Sequence, residues 1–250
     1  MHPHEIHAAL DHSRVEARFQ PIVRLSDRAP AAFEALARID HPSLGLVPAD
    51  RFVPLMEQSG RGAELTDQMS ASVIAALAQA WSGLCTLPVG INLPLDLLLR
   101  ADIADRLADR CRAAGVAPQR LVLELTETQP VDDPAALGRA LERARRAGFG
   151  AAIDDVGPAM HWVNALLDLP FTGLKLDATL LDPAAERFAA GMVGAAHRRN
   201  LTVTAEGVTD AAAWARAAAL GADRAQGFAI GPALAGAMLA AWRRDWQLAA

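Results

Sequence analysis

The chain has 250 residues, a formal net charge of −5 at pH 7, and 52% hydrophobic residues. This composition predicts one globular domain over 1–250 with a large core, and the scattered basic residues exclude a surface for duplex nucleic acid. No apolar stretch reaches transmembrane length, and the N-terminus lacks the segments of a signal peptide. Two cysteines, Cys85 and Cys111, form no metal spacing and no disulfide framework, so we expect a cytoplasmic protein without membrane insertion.

The first third of the chain predicts a short helix followed by two adjacent strands. The helix is expected at about 5–15, and the strands at 19–25 and 31–38. The turn at Ser26-Asp27 is too short for a helical crossover, so these strands should pair antiparallel. Helices at about 48–59 and 63–81 should precede the next strand, which begins near Val89.

The rest of the chain alternates predicted strands and helices. Further strands are expected near residues 121, 150, 173–176, 202 and 225, separated by helices at about 94–114, 134–148, 183–199 and 210–220. Gly115 and Gly148 are left-handed helix stops, and Asp133 is an N-cap before Pro134. Eight strands with intervening helices predict an α/β fold that closes as a (β/α)8 barrel. A doubly wound open sheet is the alternative, but no glycine-rich phosphate loop opens any helix.

Polar residues that would be costly to bury lie where the predicted strands end. They are Glu34, Asn92, Glu124, Asp154, Asp155 and Glu206. Two carboxylates about 4 Å apart repel by roughly 4 kcal/mol at an effective dielectric near 20. A barrel brings the carboxyl ends of its strands together at one face, so these acids should be neighbours. Any one of them alone reads better as a helix N-cap or surface carboxylate, but together they predict a metal-dependent hydrolase.

The oxygen-only ligand set favours Mg²⁺ or Mn²⁺ over zinc, and two such ions can activate a water and stabilise an in-line displacement. The histidines form no HExxH helix and no His-Asp motif, so zinc chemistry is poorly supported. Lys175 is the only lysine in the chain. A lone lysine at a strand end indicates a need for a compact ammonium, the alternative being a salt bridge with Asp177.

The ordered motifs resemble the EAL domain family. They begin with Phe19-Gln20-Pro21-Ile22-Val23 and Glu34-Ala35-Leu36-Ala37-Arg38, and continue through Ile91-Asn92-Leu93, Glu124-Leu125-Thr126-Glu127, Ile153-Asp154-Asp155, Leu174-Lys175-Leu176-Asp177, Ala205-Glu206-Gly207-Val208 and Gln226-Gly227-Phe228. The series covers about residues 15–235. The resemblance implies a modified TIM-like barrel with an antiparallel first strand. It also implies hydrolysis of cyclic di-GMP to linear pGpG with two Mg²⁺ or Mn²⁺ ions per site.

The resemblance also implies a role for each site residue. One metal would be held by Glu34, Asn92, Glu124 and Asp154, and Asp154 would bridge to a second metal bound by Asp155. Glu206 would be a ligand or the general base, Lys175 would steady the attacking water, and Gln226 would touch the water or phosphate. The nucleotide would be bound by Gln20, Arg38 and Asp177.

The segment 156–162 departs from the family pattern. Typical active members read Phe-Gly-Thr-Gly-Tyr-Ser-Ser after the two aspartates, whereas this chain reads Val-Gly-Pro-Ala-Met-His-Trp. In the family this loop orients the second aspartate, is braced by the residue matching Glu127, and contributes to a dimer contact. Three hypotheses therefore stand: an enzyme of reduced activity, a non-hydrolysing cyclic di-GMP receptor, and a protein-interaction module. The sequence is compatible with a homodimer and with a regulatory protein partner that supplies the input signal.

Overall fold

The computed structural model describes residues 3–11, 14–79, 86–125 and 131–248. Within these ranges the strands are β1 (Val15–Arg24), β2 (Pro30–His41), β3 (Gly45–Pro48), β4 (Val89–Asn92), β5 (Leu121–Leu125), β6 (Gly150–Val156), β7 (Gly173–Leu176), β8 (Thr202–Ala205) and β9 (Arg224–Gln226). The α-helices are α1 (Pro3–Asp11), α2 (Val53–Gln58), α3 (Gly62–Ala78), α4 (Leu95–Leu98), α5 (Ile103–Ala113), α6 (Pro134–Ala147), α7 (Glu186–His197), α8 (Ala211–Ala219) and α9 (Leu239–Leu248).

Eight of these strands close into a barrel. Strands β2 and β4 to β9 form a parallel series, and β1 pairs antiparallel with both β2 and β9 to complete the ring. The predicted barrel with an antiparallel first strand is therefore confirmed. The parallel strands all end at the same face of the barrel, which brings together side chains that are far apart in the sequence.

Helix ends follow the predicted capping chemistry. The Asp133 carboxylate accepts a hydrogen bond from the Ala136 N–H at 2.8 Å at the start of α6. Gly148 ends that helix at φ 101°, and Gly115 follows α5 at φ 69°. Both glycines lie in the left-handed region that a side chain disfavours. Among the described helices, none is long and apolar enough to cross a membrane.

The structure differs from the predicted elements in three places. The first helix ends at Asp11, and Val15 already pairs with Ile39 in β1. The helix expected over 94–114 is divided into α4 and α5, and strand β3 was not predicted at all. Tertiary pairing explains β1 and β3, because β2 runs past the barrel and both strands hydrogen-bond to its extension.

The extended β1–β2 hairpin carries a second, smaller hydrophobic core. The main core fills the space between the barrel strands and the surrounding helices. The smaller one joins α1, β3, α2 and the start of α3 to the end of β2, with Ile39, Phe52 and Met56 fully buried. Met69 packs against both cores. This arrangement places α2 and α3 beside the carboxyl end of the barrel.

Candidate active site

Lys175 lies at the centre of a buried acidic cluster at the carboxyl end of the barrel. Its Nζ is 2.8 Å from Glu206 Oε1, 2.9 Å from Asp154 Oδ1, 3.0 Å from Glu34 Oε2 and 3.4 Å from Glu124 Oε2. The side chain is only 4% exposed. One ammonium therefore faces four carboxylates, which leaves an excess of negative charge when all four are ionised. The alternative prediction, a salt bridge between Lys175 and Asp177, is wrong, because the ion pairs of Lys175 among the described residues are these four.

Strand register brings Glu124 and Asn92 side by side, and a glycine makes room for them. Asn92 and Glu124 are direct partners in the parallel pairing of β4 with β5. A Cβ atom at Gly90 would lie 2.0 Å from Glu124 Oε1. A side chain at this position would therefore displace the carboxylate. Sequence reasoning missed this role, although a glycine inside an apolar strand is a signal of close approach.

Glu34 lies within a strand and not at its end. Strand β2 continues to His41, but its parallel pairing with β4 stops at Ala35, one residue after Glu34. The expectation that Glu34 closes its strand is wrong. The expectation that it joins the other acids at the barrel mouth is confirmed by its contact with Lys175.

Amide side chains hold Glu34 from two sides. Gln226 Nε2 donates to Glu34 Oε2 at 2.5 Å and to Gln20 Oε1 at 3.1 Å, and Asn92 Nδ2 donates to Glu34 Oε1 at 3.4 Å. The amide oxygens of Asn92 and Gln226 are buried and have no hydrogen-bond partner within the described residues. Buried polar atoms normally find a partner, so these two oxygens fit a site that receives a cation or water.

Two groups of carboxylate oxygens could hold metal ions, and they share Asp154. Within each group the oxygens lie within 4.8 Å of one another. The first group is Glu34, Glu124 and Asp154, and the second is Asp154, Asp155 and Glu206. Together with the unpaired amide oxygens, these all-oxygen groups fit hard divalent cations, with Asp154 placed between two positions.

Asp155 adopts an unusual backbone conformation next to Asp154. Its φ is 54°, in the left-handed region, and its N–H donates to Asp154 Oδ1 at 2.9 Å. The hydrogen-bond ladder between β6 and β7 is interrupted at the same point, between Ile153 and Val156. A non-glycine residue in this region costs free energy and often marks a functional position. The turn directs the Asp155 side chain to the cavity that Asp154 also lines.

Burial of so many acids changes their protonation. Burial raises the pKa of Glu206 to about 8 and that of Asp154 to about 6, even though Lys175 acts in the opposite direction on both. Burial likewise raises the pKa of Glu124 well above its usual range. Glu34 differs: burial is outweighed by Lys175 and by hydrogen bonds from amides, so its pKa is lowered. The pKa of Lys175 is raised despite its burial, because the carboxylates stabilise its charge.

A cavity of about 750 Å³ opens beside the cluster. Its polar floor includes Glu34, Asn92, Asp154, Asp155 and Glu206. A second wall comes from α2 and α3 and carries apolar side chains beside Glu57, Thr66 and Ser70. The wall residues include Val53, Leu65 and Met69. Sequence analysis did not assign these wall residues, because the second core that positions α2 and α3 depends on the unpredicted β3.

The expected nucleotide-binding residues are less tightly grouped. Gln20 and Asp177 line the cavity. The Asp177 carboxylate also accepts a hydrogen bond from the Thr179 N–H at 2.9 Å. Arg38 is half-buried, and its Nη1 donates to the Ala37 carbonyl at 2.8 Å. Glu127, the expected brace of the altered loop, lies outside the described residues.

The altered loop is anchored by apolar burial. Val156 is fully buried and Met160 is 7% exposed within the main core. The Met160 N–H donates to the Gly157 carbonyl at 3.1 Å, which closes a turn around Pro158. The loop after Asp155 therefore has a brace that does not depend on the hydroxyl groups of the usual family sequence.

Comparisons with known proteins agree on one family. The sequence model of the EAL domain family matches residues 4–233 of this chain. The cyclic di-GMP phosphodiesterase PA2567 of Pseudomonas aeruginosa is 31% identical over 239 residues, covering 90% of this chain and 39% of that protein. The cyclic di-GMP phosphodiesterase RocR of the same species is 30% identical over 229 residues, covering 88% and 57%.

Solved structures share the fold. The PaMucR phosphodiesterase in complex with c-di-GMP matches with a TM-score of 0.86 at 26% identity, covering 94% of this chain and 98% of that chain. The curated relatives are longer, since this chain spans only 39% of PA2567 and 57% of RocR. The range matched by the family model, residues 4–233, contains all residues of the acidic cluster described above.

Proposed function

Because the chain belongs to the EAL domain family, we propose that it is a metal-dependent phosphodiesterase that hydrolyses cyclic di-GMP to linear pGpG. The observation that carries this proposal is the pair of carboxylate groups that share Asp154 around the buried Lys175. The relatives named as cyclic di-GMP phosphodiesterases support the choice of substrate. A cytoplasmic location stays a prediction.

The ligand set proposed from the sequence fits the geometry. One ion would be held by Glu34, Asn92, Glu124 and Asp154, and a second by Asp154, Asp155 and Glu206. When bound, two Mg²⁺ or Mn²⁺ ions would neutralise the phosphodiester charge and lower the pKa of a water molecule.

The side chains of this chain would do the remaining work. Glu206 is the most exposed of the four carboxylates around Lys175, which suits it to accept a proton from the attacking water. The water oxygen forms the new bond to phosphorus as the bond to the ribose 3′-oxygen breaks, and one proton ends on that 3′-oxygen. The buried Lys175 ammonium would stabilise the charge that grows on the phosphoryl oxygens.

The substrate would lie in the 750 Å³ cavity. Gln226 and Gln20, linked by a hydrogen bond at 3.1 Å, would position the phosphate. Arg38 and Asp177 would contact the rest of the nucleotide. The apolar wall from α2 and α3 would exclude water from one side of the reacting group.

A non-hydrolysing cyclic di-GMP receptor is the second candidate. The altered segment 156–162 favours it, because this segment follows Asp155 directly and differs from the sequence typical of active members. A receptor would keep the cavity and the nucleotide contacts but would hold the second metal too weakly for turnover. Homodimer formation and a regulatory partner belong to either candidate and stay predictions.

The deciding experiment is turnover of cyclic di-GMP by the purified chain with Mn²⁺, Mg²⁺ or Ca²⁺, followed by chromatography of pGpG. We expect product with Mn²⁺ or Mg²⁺ and little with Ca²⁺, which is too large for a tight two-metal site. Lys175→Ala is the matched variant and should give none. If calorimetry shows that the chain binds cyclic di-GMP but no pGpG forms with Mn²⁺ or with Mg²⁺, the protein is a receptor and the enzyme proposal is rejected.

A further inference from the structure

A second polar groove lies at the opposite end of the barrel, where the parallel strands begin. It has a volume of about 640 Å³. It lies between the turn that joins β1 to β2, the end of α7 with the start of β8, and the start of β9. Its polar lining comes from Arg24, Ser26, Asn200, Asp223 and Arg224, among others. The proposed phosphodiesterase activity makes no use of this groove.

Two arginines from neighbouring strands line the groove. Arg24 of β1 and Arg224 of β9 are direct partners in the antiparallel pairing. Like charges placed opposite one another on neighbouring strands destabilise a sheet. Arg24 is compensated by Asp27, with side-chain contacts of 3.0 and 2.7 Å. No corresponding contact joins Arg224 to any carboxylate among the described residues.

Arg224 is a half-buried cation whose guanidinium makes no hydrogen bond or ion pair within the described structure. Burial lowers its pKa, the charge of the neighbouring Asp223 acts in the opposite direction, and the nearby Arg24 charge adds a smaller lowering. The one carboxylate that lines the groove, Asp223, already accepts hydrogen bonds from the Val203 N–H at 2.7 Å and from His197 Nε2 at 3.1 Å. The Arg224 donors are therefore available to a ligand.

Neutral donors lie beside this cation. The Ser26 hydroxyl and the Asn200 side-chain amide both line the groove, and neither makes a hydrogen bond to another described residue. Asn200 has φ 58°, which fixes it in a tight turn after α7. A guanidinium with adjacent hydroxyl and amide donors matches the acceptor oxygens of a tetrahedral oxyanion.

We propose that this groove binds a phosphate-type oxyanion, held chiefly by Arg224 with Arg24, Ser26 and Asn200 around it. The ligand would be either free phosphate or the phosphate group of a small nucleotide. A bound dianion would also remove the repulsion between the two opposed arginines. Phosphate should therefore stabilise the fold as well as bind to it.

The test is a titration of the isotope-labelled chain with inorganic phosphate, without added divalent metal and with ionic strength held constant by chloride. We expect saturable shifts in the NMR signals of the Ser26, Asn200 and Arg224 amides, with a Kd on the order of 1 mM. Arg224→Gln should weaken this binding at least about tenfold. Arg187→Gln, which removes an exposed arginine of α7 distant from the groove lining, is the charge-matched control and should not.

Thermal unfolding separates a binding role from a structural one. In chloride alone, Arg224→Gln should melt at or above the wild-type temperature, because it removes one of two like charges on directly paired strand positions. In phosphate the order of the two melting temperatures should reverse, since only the wild type gains stability.

A parallel NMR titration with AMP identifies the natural ligand. If AMP half-saturates the shifts at a lower concentration than phosphate does, the ligand is a nucleotide, and if the two midpoint concentrations are equal, the ligand is free phosphate. Absence of saturable shifts in the wild type up to about 20 mM phosphate, or an unchanged midpoint in Arg224→Gln, would overturn the proposal.

Discussion

Lys175 holds together a cluster that would otherwise repel itself. Four carboxylates lie within 3.4 Å of one ammonium, and three of them are 6% exposed or less. Removing one partner of a buried ion pair leaves the other charges uncompensated, which costs more than the pair contributes. The lysine therefore has two roles in our proposal: it stabilises the metal-free fold and it acts in catalysis.

Lys175→Met should abolish turnover and destabilise the metal-free protein by about 3–5 kcal/mol, with Mn²⁺ restoring part of the loss. Chemical denaturation with and without Mn²⁺ measures the free energy of unfolding. Arg145→Met is the control, because it breaks an exposed ion pair with Glu142 and should change stability little. Equal stability of Lys175→Met and wild type without metal would show that the lysine does not hold the cluster.

The position of most site residues could be predicted only from the whole set. One acid at a strand end reads as a helix N-cap or surface carboxylate, but several acids and a lone lysine have no place in an apolar barrel without a compensating function. Gly90 was not predicted, because its role is steric and depends on how closely the Glu124 carboxylate approaches it. The Lys175 contacts with all four acids also required the structure. Sequence places those residues at one face but does not give the distances between them.

At the level of secondary-structure elements, β4 shows how one glycine in a strand makes room for a carboxylate on the neighbouring strand. Gly90→Ala should destabilise the protein by about 1–3 kcal/mol through overpacking and should weaken metal binding, because Glu124 is displaced. Gly191→Ala in α7 is the matched control. Nothing lies within 4 Å of its added Cβ, so stability should rise by about 0.5–1 kcal/mol. Calorimetric metal titration of both variants gives the test, and unchanged Mn²⁺ affinity in Gly90→Ala would contradict it.

The loop after β6 follows Asp155 directly, and we expect it to determine how firmly Asp155 is held. Replacing 156–162 by Phe-Gly-Thr-Gly-Tyr-Ser-Ser should raise turnover, most visibly at low Mg²⁺, since such supporting contacts typically change metal affinity or activity 10–100-fold. High metal concentration should partly rescue the natural sequence. Val156 is fully buried, so a second graft that retains Val156 controls for overpacking by phenylalanine. If both grafts fold and neither shifts the metal midpoint, the apolar anchoring by Met160 is sufficient and the loop does not limit activity.

For the molecule as a whole, the barrel could be predicted because its strands are apolar runs separated by helices with clear caps and stops. The antiparallel first strand followed from a turn too short for a crossover. The second core could not be predicted, because β3 is a four-residue strand that exists only by pairing with the extension of β2. The apolar wall of the cavity depends on that pairing, so the shape of the substrate site was also outside the reach of local sequence patterns.

The acidic cluster should make the stability of the whole molecule depend on pH in opposite ways with and without metal. Glu206 and Asp154 have folded pKa values of about 8 and about 6, above the values near 4 of an unfolded chain. The folded state then binds more protons than the unfolded state between about pH 4 and 8, so stability falls as pH rises through this window. The lowered pKa of Glu34 acts in the other direction and removes stability as pH falls below about 4.

Metal-free protein should therefore be most stable at about pH 4 and should lose stability steadily up to about pH 8. Metal binding requires deprotonated ligands, so it strengthens over the same range and should flatten or reverse the decline. Denaturant titrations at several pH values, with chelated protein and with saturating Mn²⁺, measure both curves. In chelated Glu206→Gln the decline between about pH 6 and 8 should be smaller, because the group that releases its proton there is gone. If the metal-free curve instead rose from pH 5 to 8, the acids would be ionised in the folded state and the cluster would need another source of compensation.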